Sequence, residues 1–226
     1  MIPWVLIDTA TIPGAPGKLR LMQRGAEFSI RLDDNELMSS RLSGSEQALA
    51  TLTCERLANV SRARVLIGGL GMGFTLRAAQ SILGADAEII VAELLPAVVA
   101  WARGPMTQVY GASLNDARVD IRETDVGALI RQGVAQYDAI LLDVDNGPDG
   151  LTRQGNDALY TSSGLRAAHK ALRPGGVLAV WSSGPDATFT KRLRNAAFLV
   201  TENSVRANGK RGGARHVIWI ATRPAR

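Results

Sequence analysis

From residue 64 onward the chain alternates short apolar runs with longer segments in which apolar residues recur every three or four positions. Short runs bounded by Gly, Pro or Asp read as strands, and runs with one apolar face at a 3.6-residue period read as helices. The pattern predicts strands at residues 65–67, 88–92, 118–122, 137–143 and 177–181. Helices are expected at about 74–83, from Pro96 onward, just after Asp125, in a segment ending near Leu172, and at 187–196. Pro96 suits a first helical turn, where a missing N–H costs little. The middle of the run at 137–143 is nearly all apolar, as a strand buried on both faces should be. Such alternation is the signature of a doubly wound, mostly parallel sheet with an α/β fold. The last two runs, 198–205 and 216–221, flank the basic turn NGKRGGAR and read as a hairpin. The expectation is therefore a seven-stranded sheet with its last strand antiparallel and the strand at 65–67 at the centre of the parallel core.

The first forty residues follow a different pattern. Strand-like runs at 4–7, 19–23 and 28–32 are separated by Pro13-Gly14, Pro16-Gly17 and Arg24-Gly25. That punctuation predicts a small antiparallel β lobe over residues 1–42, ahead of an α/β domain over residues 43–226. Ser45 is expected to cap a helix reaching about Leu57, with Leu49, Leu52, Thr53, Arg56 and Leu57 forming a mostly apolar stripe.

Composition narrows the function classes. The 226 residues are 46% hydrophobic and 21% charged, which suits one globular domain with a small appendage. No apolar run reaches the ~18 residues of a membrane helix, and the N-terminal MIPWVLI is too short and lacks a basic leader, so neither a membrane nor an export signal is expected. Cys54 is the single cysteine, which makes the cytoplasm the default expectation. With only His169 and His216 besides, a zinc site or a Cys–His nucleophile has little raw material, and no metal is expected. The net charge of +5 invites a nucleic-acid reading, but the basic residues are spread along the chain. Their densest cluster, Arg206, Lys210, Arg211 and Arg215, reads as a solvated hairpin tip, so no nucleic acid is expected as a partner.

The candidate chemistry sits in the stretch RVLIGGLGMGFTL. A strand enters a helix there through a turn containing Gly68, Gly69, Gly71 and Gly73. Glycine permits the positive φ of so tight a turn, and it lets a ligand approach the free N–H groups at the helix start. The next strand closes with Glu93, placed to accept hydrogen bonds from both hydroxyls of a ribose. Together these features predict a nucleoside-binding domain. The dinucleotide pattern G-x-G-x-x-G would require glycine where Phe74 stands, so NAD is disfavoured. The observed G-G-x-G-x-G is similar to the loop after the first strand of class I S-adenosylmethionine-dependent enzymes. Asp143 ends the fourth strand, where ligands bind in open α/β sheets, whereas Asp138 lies at the opposite end and reads as structural.

The series VLIGGLGMG, Glu93, Asp125, YDAILLDVDNGP and LYTSSGLRAAHKALRPGGVLAV resembles the spermidine synthase family. That family is a branch of the class I methyltransferase (Rossmann-like) fold with a small N-terminal β lobe, and the resemblance covers residues 19 to about 181. It implies that Gly68, Gly69, Gly71, Gly73, Glu93 and Asp125 bind the donor, with Glu93 on the ribose and Asp125 at the adenine amino group. It implies Asp143 as the base, with Asp145 as a substitute second acid. The sequence departs from the family at three places. Gly71 replaces the acid that holds the donor's amino group; Asn146 falls where the second acid of the loop would be; and RLSGSEQA, residues 41–48, lacks the tyrosine of the acceptor segment. A buried ammonium without a counterion is costly. Gly71 therefore favours S-adenosylmethionine, which brings its own carboxylate, over the decarboxylated form. The expected function is an S-adenosylmethionine-dependent transferase moving a methyl group to a small-molecule acceptor, an amine among the candidates. The alternatives are a true polyamine aminopropyltransferase using decarboxylated S-adenosylmethionine, with Asp145 and Glu46 compensating, and a non-catalytic nucleoside-binding protein. A homodimer is among the candidate assemblies, and the sequence does not fix the oligomeric state. Metal-dependent O-methyltransferases need an Asp-Asn pair where Trp181-Ser182-Ser183-Gly184 stands, and DVDNGP is not the motif of base-modifying N-methyltransferases.

Overall fold

The computed structural model describes residues 2–12, 17–41, 43–144, 154–209 and 212–225. Two sheets organise these residues. The N-terminal sheet has the order β1–β2–β3–β4, a meander of β1 (Val5–Thr11), β2 (Lys18–Arg24), β3 (Glu27–Leu32) and β4 (Asn35–Ser39). Its register sets Leu21 opposite Ile30 and Leu19 opposite Leu32. Leu19, Leu21, Phe28 and Ile30 are thereby buried in the main core, while Arg20 and Arg31 point the other way, as the period of two requires. Strand β4 is an addition to the three runs expected from sequence. The lobe is also held from outside: the indole Nε1 of Trp101, on the helix Pro96–Arg103, donates to Asp8 Oδ2 at 2.7 Å. That bond holds the Asp8 carboxyl below its usual range.

Helix α1 (Gly44–Cys54) leads into a 3-10 turn, Glu55–Leu57. The N-cap is Ser43, which makes no side-chain cap bond, and not Ser45. Ser45 is buried two positions further in, with its hydroxyl bonded to Glu46 and His216.

The larger sheet has seven strands in the order β10–β11–β9–β8–β5–β6–β7. Strands β5 (Arg64–Gly68), β6 (Glu88–Glu93), β7 (Val119–Glu123), β8 (Tyr137–Leu142) and β9 (Leu172–Ser182) are parallel. Strand β11 (Arg215–Thr222) runs antiparallel between β9 and β10 (Leu199–Arg206). The expected hairpin and antiparallel last strand are present, with β5 at the centre of the five parallel strands. Strand β9 starts earlier than expected. Arg173-Pro174-Gly175-Gly176 lies within the strand rather than terminating a helix, because backbone bonds between Gly175, Gly176 and Arg223 extend its pairing with the chain beyond β11.

The parallel strands alternate in which face they bury, yet both sets are apolar. Val65, Ile67, Ile89, Val91, Ala139 and Leu141 join the core beneath α1, α2 (Phe74–Ile82), α3 (Pro96–Arg103) and the lobe. Leu66, Ile90, Ile140, Leu142, Leu178 and Val180 join the core beneath α5 (Val126–Gln132), α7 (Ser162–Ala171) and α8 (Ala187–Asn195). A sheet covered on both faces reads as continuous apolar strands, which is why these segments stand out in the sequence. Short α4 (Thr107–Tyr110) follows α3, and α6 (Gln154–Tyr160) precedes α7. Asp138 has the structural role expected of it, accepting from Arg64 N–H at 2.7 Å and from Arg173 at 2.6 Å. No helix among the described residues is long and apolar enough to cross a membrane, and no cluster of metal-ligating side chains occurs among them.

Candidate active site

A cleft runs along the C-terminal ends of the parallel strands and is roofed by the N-terminal lobe. Its floor passes from Asp125, after β7, through Glu93 on β6 and the glycine loop after β5, to Asp143 after β8 and Trp181 on β9.

The glycine loop is held by close approaches. Gly69, Gly71 and Gly73 all have positive φ, at 93°, 51° and 71°. A Cβ on Gly69 would lie 2.5 Å from the carbonyl oxygen of Asp143, and one on Gly73 would lie 2.6 Å from the Tyr110 ring. Both positions thus exclude side chains on steric grounds as well as conformational ones. A Cβ on Gly71 would instead meet only the Met38 sulfur, at 3.5 Å. The Tyr110 hydroxyl donates to the Gly71 carbonyl and fixes the loop from below. Gly69 and Gly71 line the cleft, together with Leu70 and Met72, while Gly68 and Gly73 stand behind it as backbone supports.

Glu93 is buried, and its two oxygens accept backbone N–H groups from two loops, Leu70 at 3.0 Å and Leu95 at 2.9 Å. Burial pushes its carboxyl above the usual range, and the backbone hydrogen bonds oppose that shift. Asp125 also lines the cleft, but it has structural work as well. It is the N-cap of α5, accepting from Gly127 N–H at 2.8 Å, and it pairs with Arg131 at 3.1 Å.

Asp143 stands where β8 ends, with its amide donating to the Gly68 carbonyl and its Oδ2 accepting from the Thr75 hydroxyl at 2.5 Å. Desolvation and the nearby Glu46 carboxylate push its carboxyl up to about 7, against the stabilising Thr75 bond. Glu46, on the first turn of α1, is likewise raised by burial. Its Oε2 accepts from the Ser45 hydroxyl at 2.8 Å, and Ser45 Oγ lies 2.9 Å from His216 Nδ1. His216 in turn packs edge-on against Trp181, with ring centroids 4.8 Å apart. A carboxylate near pKa 7 at the tip of a central strand can take a proton at neutral pH. Cys54 offers no such chemistry, because burial pushes its thiol up to about 12.

The structure thus brings Gly69, Gly71, Glu93, Asp125 and Asp143 to one cleft. Asp145 lies outside the described residues. Sequence reasoning missed Thr75, Tyr110 and Trp181 and the apolar roof formed by Ile12, Leu19, Leu32, Leu37 and Met38. Only Thr75 left a signal, as a hydroxyl in the first turn after the glycine loop.

The geometry fits a nucleoside donor. A carboxylate is held by main chain beside a glycine loop in which Gly69 and Gly73 are too crowded for side chains, at the strand ends where such ligands bind. Comparison with known proteins agrees. No family model matches the chain. It is 33% identical over 120 residues to a polyamine aminopropyltransferase of Pseudomonas aeruginosa, covering 51% of this chain and 32% of that protein. It is 27% identical over 188 residues to one of Mycobacterium tuberculosis, covering 79% of this chain and 34% of that protein. The chain therefore matches about a third of the length of these relatives. Among solved structures, the spermidine synthase of Thermotoga maritima superposes with a TM-score of 0.72 at 17% identity, over 98% of this chain and 74% of that one. A 1,6-didemethyltoxoflavin N1-methyltransferase of Burkholderia thailandensis, solved with S-adenosylhomocysteine, superposes with a TM-score of 0.55 at 21% identity, over 80% and 79%. In sequence and in fold, the chain is similar to the spermidine synthase-like branch of the class I S-adenosylmethionine-dependent methyltransferase superfamily.

Proposed function

We propose that the protein is an S-adenosylmethionine-dependent transferase that moves a methyl group to a small acceptor bearing a nucleophilic nitrogen. When bound, S-adenosylmethionine supplies an electrophilic methyl carbon whose bond to sulfur breaks with the electron pair going to sulfur. Every other task falls to this chain. Glu93 accepts hydrogen bonds from the ribose hydroxyls through lone pairs that Leu70 and Leu95 leave over. Gly69 and Gly71 let the donor approach the main chain, and Asp125 and Val126 close the adenine end. Asp143 takes the proton that the acceptor nitrogen loses as its lone pair forms the new bond. The roof excludes water and aligns the acceptor with the donor.

The observation that carries methyl over aminopropyl transfer is Gly71. A Cβ there would meet only the Met38 sulfur, and the family that the sequence resembles has an acid at that place, so a donor ammonium finds no counterion at that position. The kinship with aminopropyltransferases keeps spermidine-type transfer as the second reading. A structural neighbour, a spermidine synthase solved in complex with the transition-state analogue AdoDATO, fits the same alternative. Calorimetric titration with S-adenosylmethionine, its decarboxylated form, methylthioadenosine and S-adenosylhomocysteine separates the readings. Tighter binding of S-adenosylmethionine than of the decarboxylated form is expected, and the reverse order would install the aminopropyl reading.

A further inference from the structure

Building on the transferase reading, we propose that the acceptor carries a single basic nitrogen on an apolar body, and that an aliphatic diamine fits the site poorly. Among the described residues, the acceptor half of the cleft is poor in charge. Its roof is Ile12, Leu19, Leu32, Leu37 and Met38, and its wall on β9 is the Trp181 ring. Among the described residues, the acids lining the cleft are Glu46, Glu93, Asp125 and Asp143. Glu93 and Asp125 belong to the donor half, at the ends of β6 and β7. That leaves Glu46 and Asp143 for the acceptor.

These two acids share one burial site and repel each other, and both are held above the ordinary carboxylate range. Two acids crowded at one spot act as a single anionic point, and their mutual repulsion disfavours the doubly charged state. One charge balances one ammonium. A diamine would place its second ammonium several carbons away, against the side chains of Leu37, Met38 and Trp181, where it would stay uncompensated in an apolar setting. An aromatic or branched aliphatic body would instead bury its surface on those residues. The two halves of this subsite are joined: Ser45 holds Glu46, His216 holds Ser45, and His216 buttresses Trp181. The acid and the apolar wall are therefore positioned by one contact chain.

The test is calorimetry on the full chain saturated with S-adenosylhomocysteine, which permits no turnover, titrated with phenethylamine, its neutral counterpart ethylbenzene, and putrescine. Phenethylamine is expected to bind at least about tenfold more tightly than putrescine, a difference readily resolved in dissociation constants. Glu46→Gln should remove the advantage of phenethylamine over ethylbenzene. Leu37→Glu, which adds a carboxylate to the roof, should raise the affinity for putrescine, and circular dichroism checks that each variant is folded. Putrescine binding as tightly as phenethylamine, or no binding of either amine, would overturn the proposal. The donor reading is read separately by the preceding S-adenosylhomocysteine titration. If that nucleoside fails to bind, the transferase reading falls, and the same amine comparison on the free protein still decides the acceptor class.

Discussion

The two halves of the cleft are built by different means. In the donor half, main chain does the positioning: Leu70 and Leu95 amides fix Glu93, the Gly71 carbonyl is fixed by Tyr110, and Gly69 packs against the Asp143 carbonyl. In the acceptor half, side chains from the lobe, α1 and β9 meet with no shared backbone to register them. The difference teaches where specificity resides. A site made of backbone follows from the fold and serves many related proteins, whereas a site made of converging side chains changes with each substitution. It is the division expected if the fold supplies nucleoside binding while the lobe, α1 and β9 set what binds beside it.

The sharpest break of that comparison is Asp143→Asn. The variant should keep nucleoside affinity while turnover falls ~10²–10⁴-fold, the effect of losing a general base, measured with whichever amine the binding panel selects. Unchanged turnover per folded molecule would assign Asp143 to packing alone. Next in size, Glu93→Gln should weaken nucleoside binding by ~1.5–3 kcal/mol, the range for a hydrogen bond to a charged group. The amide can no longer accept from both Leu70 and Leu95, so a thermal melt must accompany the titration. Gly71→Asp should have a smaller effect, shifting preference toward the decarboxylated donor. The space there admits a side chain, and aspartate tolerates the φ of 51° better than most residues do. Equal relative affinities for the two donors before and after the change would remove Gly71 from donor selection.

A further effect is on stability against pH. The Asp143 carboxyl has its pKa raised in the folded state, so the unfolded chain releases this proton first as pH rises. Its contribution to stability is therefore complete below the ordinary carboxylate pKa and is lost as pH climbs through about 7. Asp143→Asn, which has no proton to release, should gain in Tm relative to the parent between pH 4 and pH 8. A constant Tm difference over that interval would contradict the assigned shift.

The seven-stranded sheet was legible because a sheet covered on both faces must be written in apolar runs, and β5, β6 and β8 are nearly pure ones. Strand β4 was not legible: Asn35-Glu36-Leu37-Met38-Ser39 is a short edge strand, and its pairing with β3 includes a register shift that breaks alternation. The start of β9 was hidden because Pro174 and Gly175 read as a stop signal, and only the tertiary partner Arg223 draws them into the sheet. In the site, Glu93 and Asp143 were legible as acids at strand ends. Tyr110 and Trp181 were not, since they reach the cleft through contacts between residues distant in sequence, which no local pattern records. Asp125 illustrates an ambiguity of the same kind, because an aspartate just ahead of Val126 is also what a helix start demands.

The bond between Trp101 and Asp8 ties the roof to the floor from a point outside the cleft. It can form only while the lobe lies against α3, so any ligand that favoured that arrangement would be thermodynamically linked to it. A ligand that prefers the docked arrangement strengthens this latch by the same factor by which the latch strengthens the ligand. Asp8 thereby acquires leverage over a molecule it never touches. Loss of its carboxylate would register as weaker binding of whatever leans on Leu37 and Met38, in a protein whose glycine loop, Glu93 and Asp143 are all unaltered.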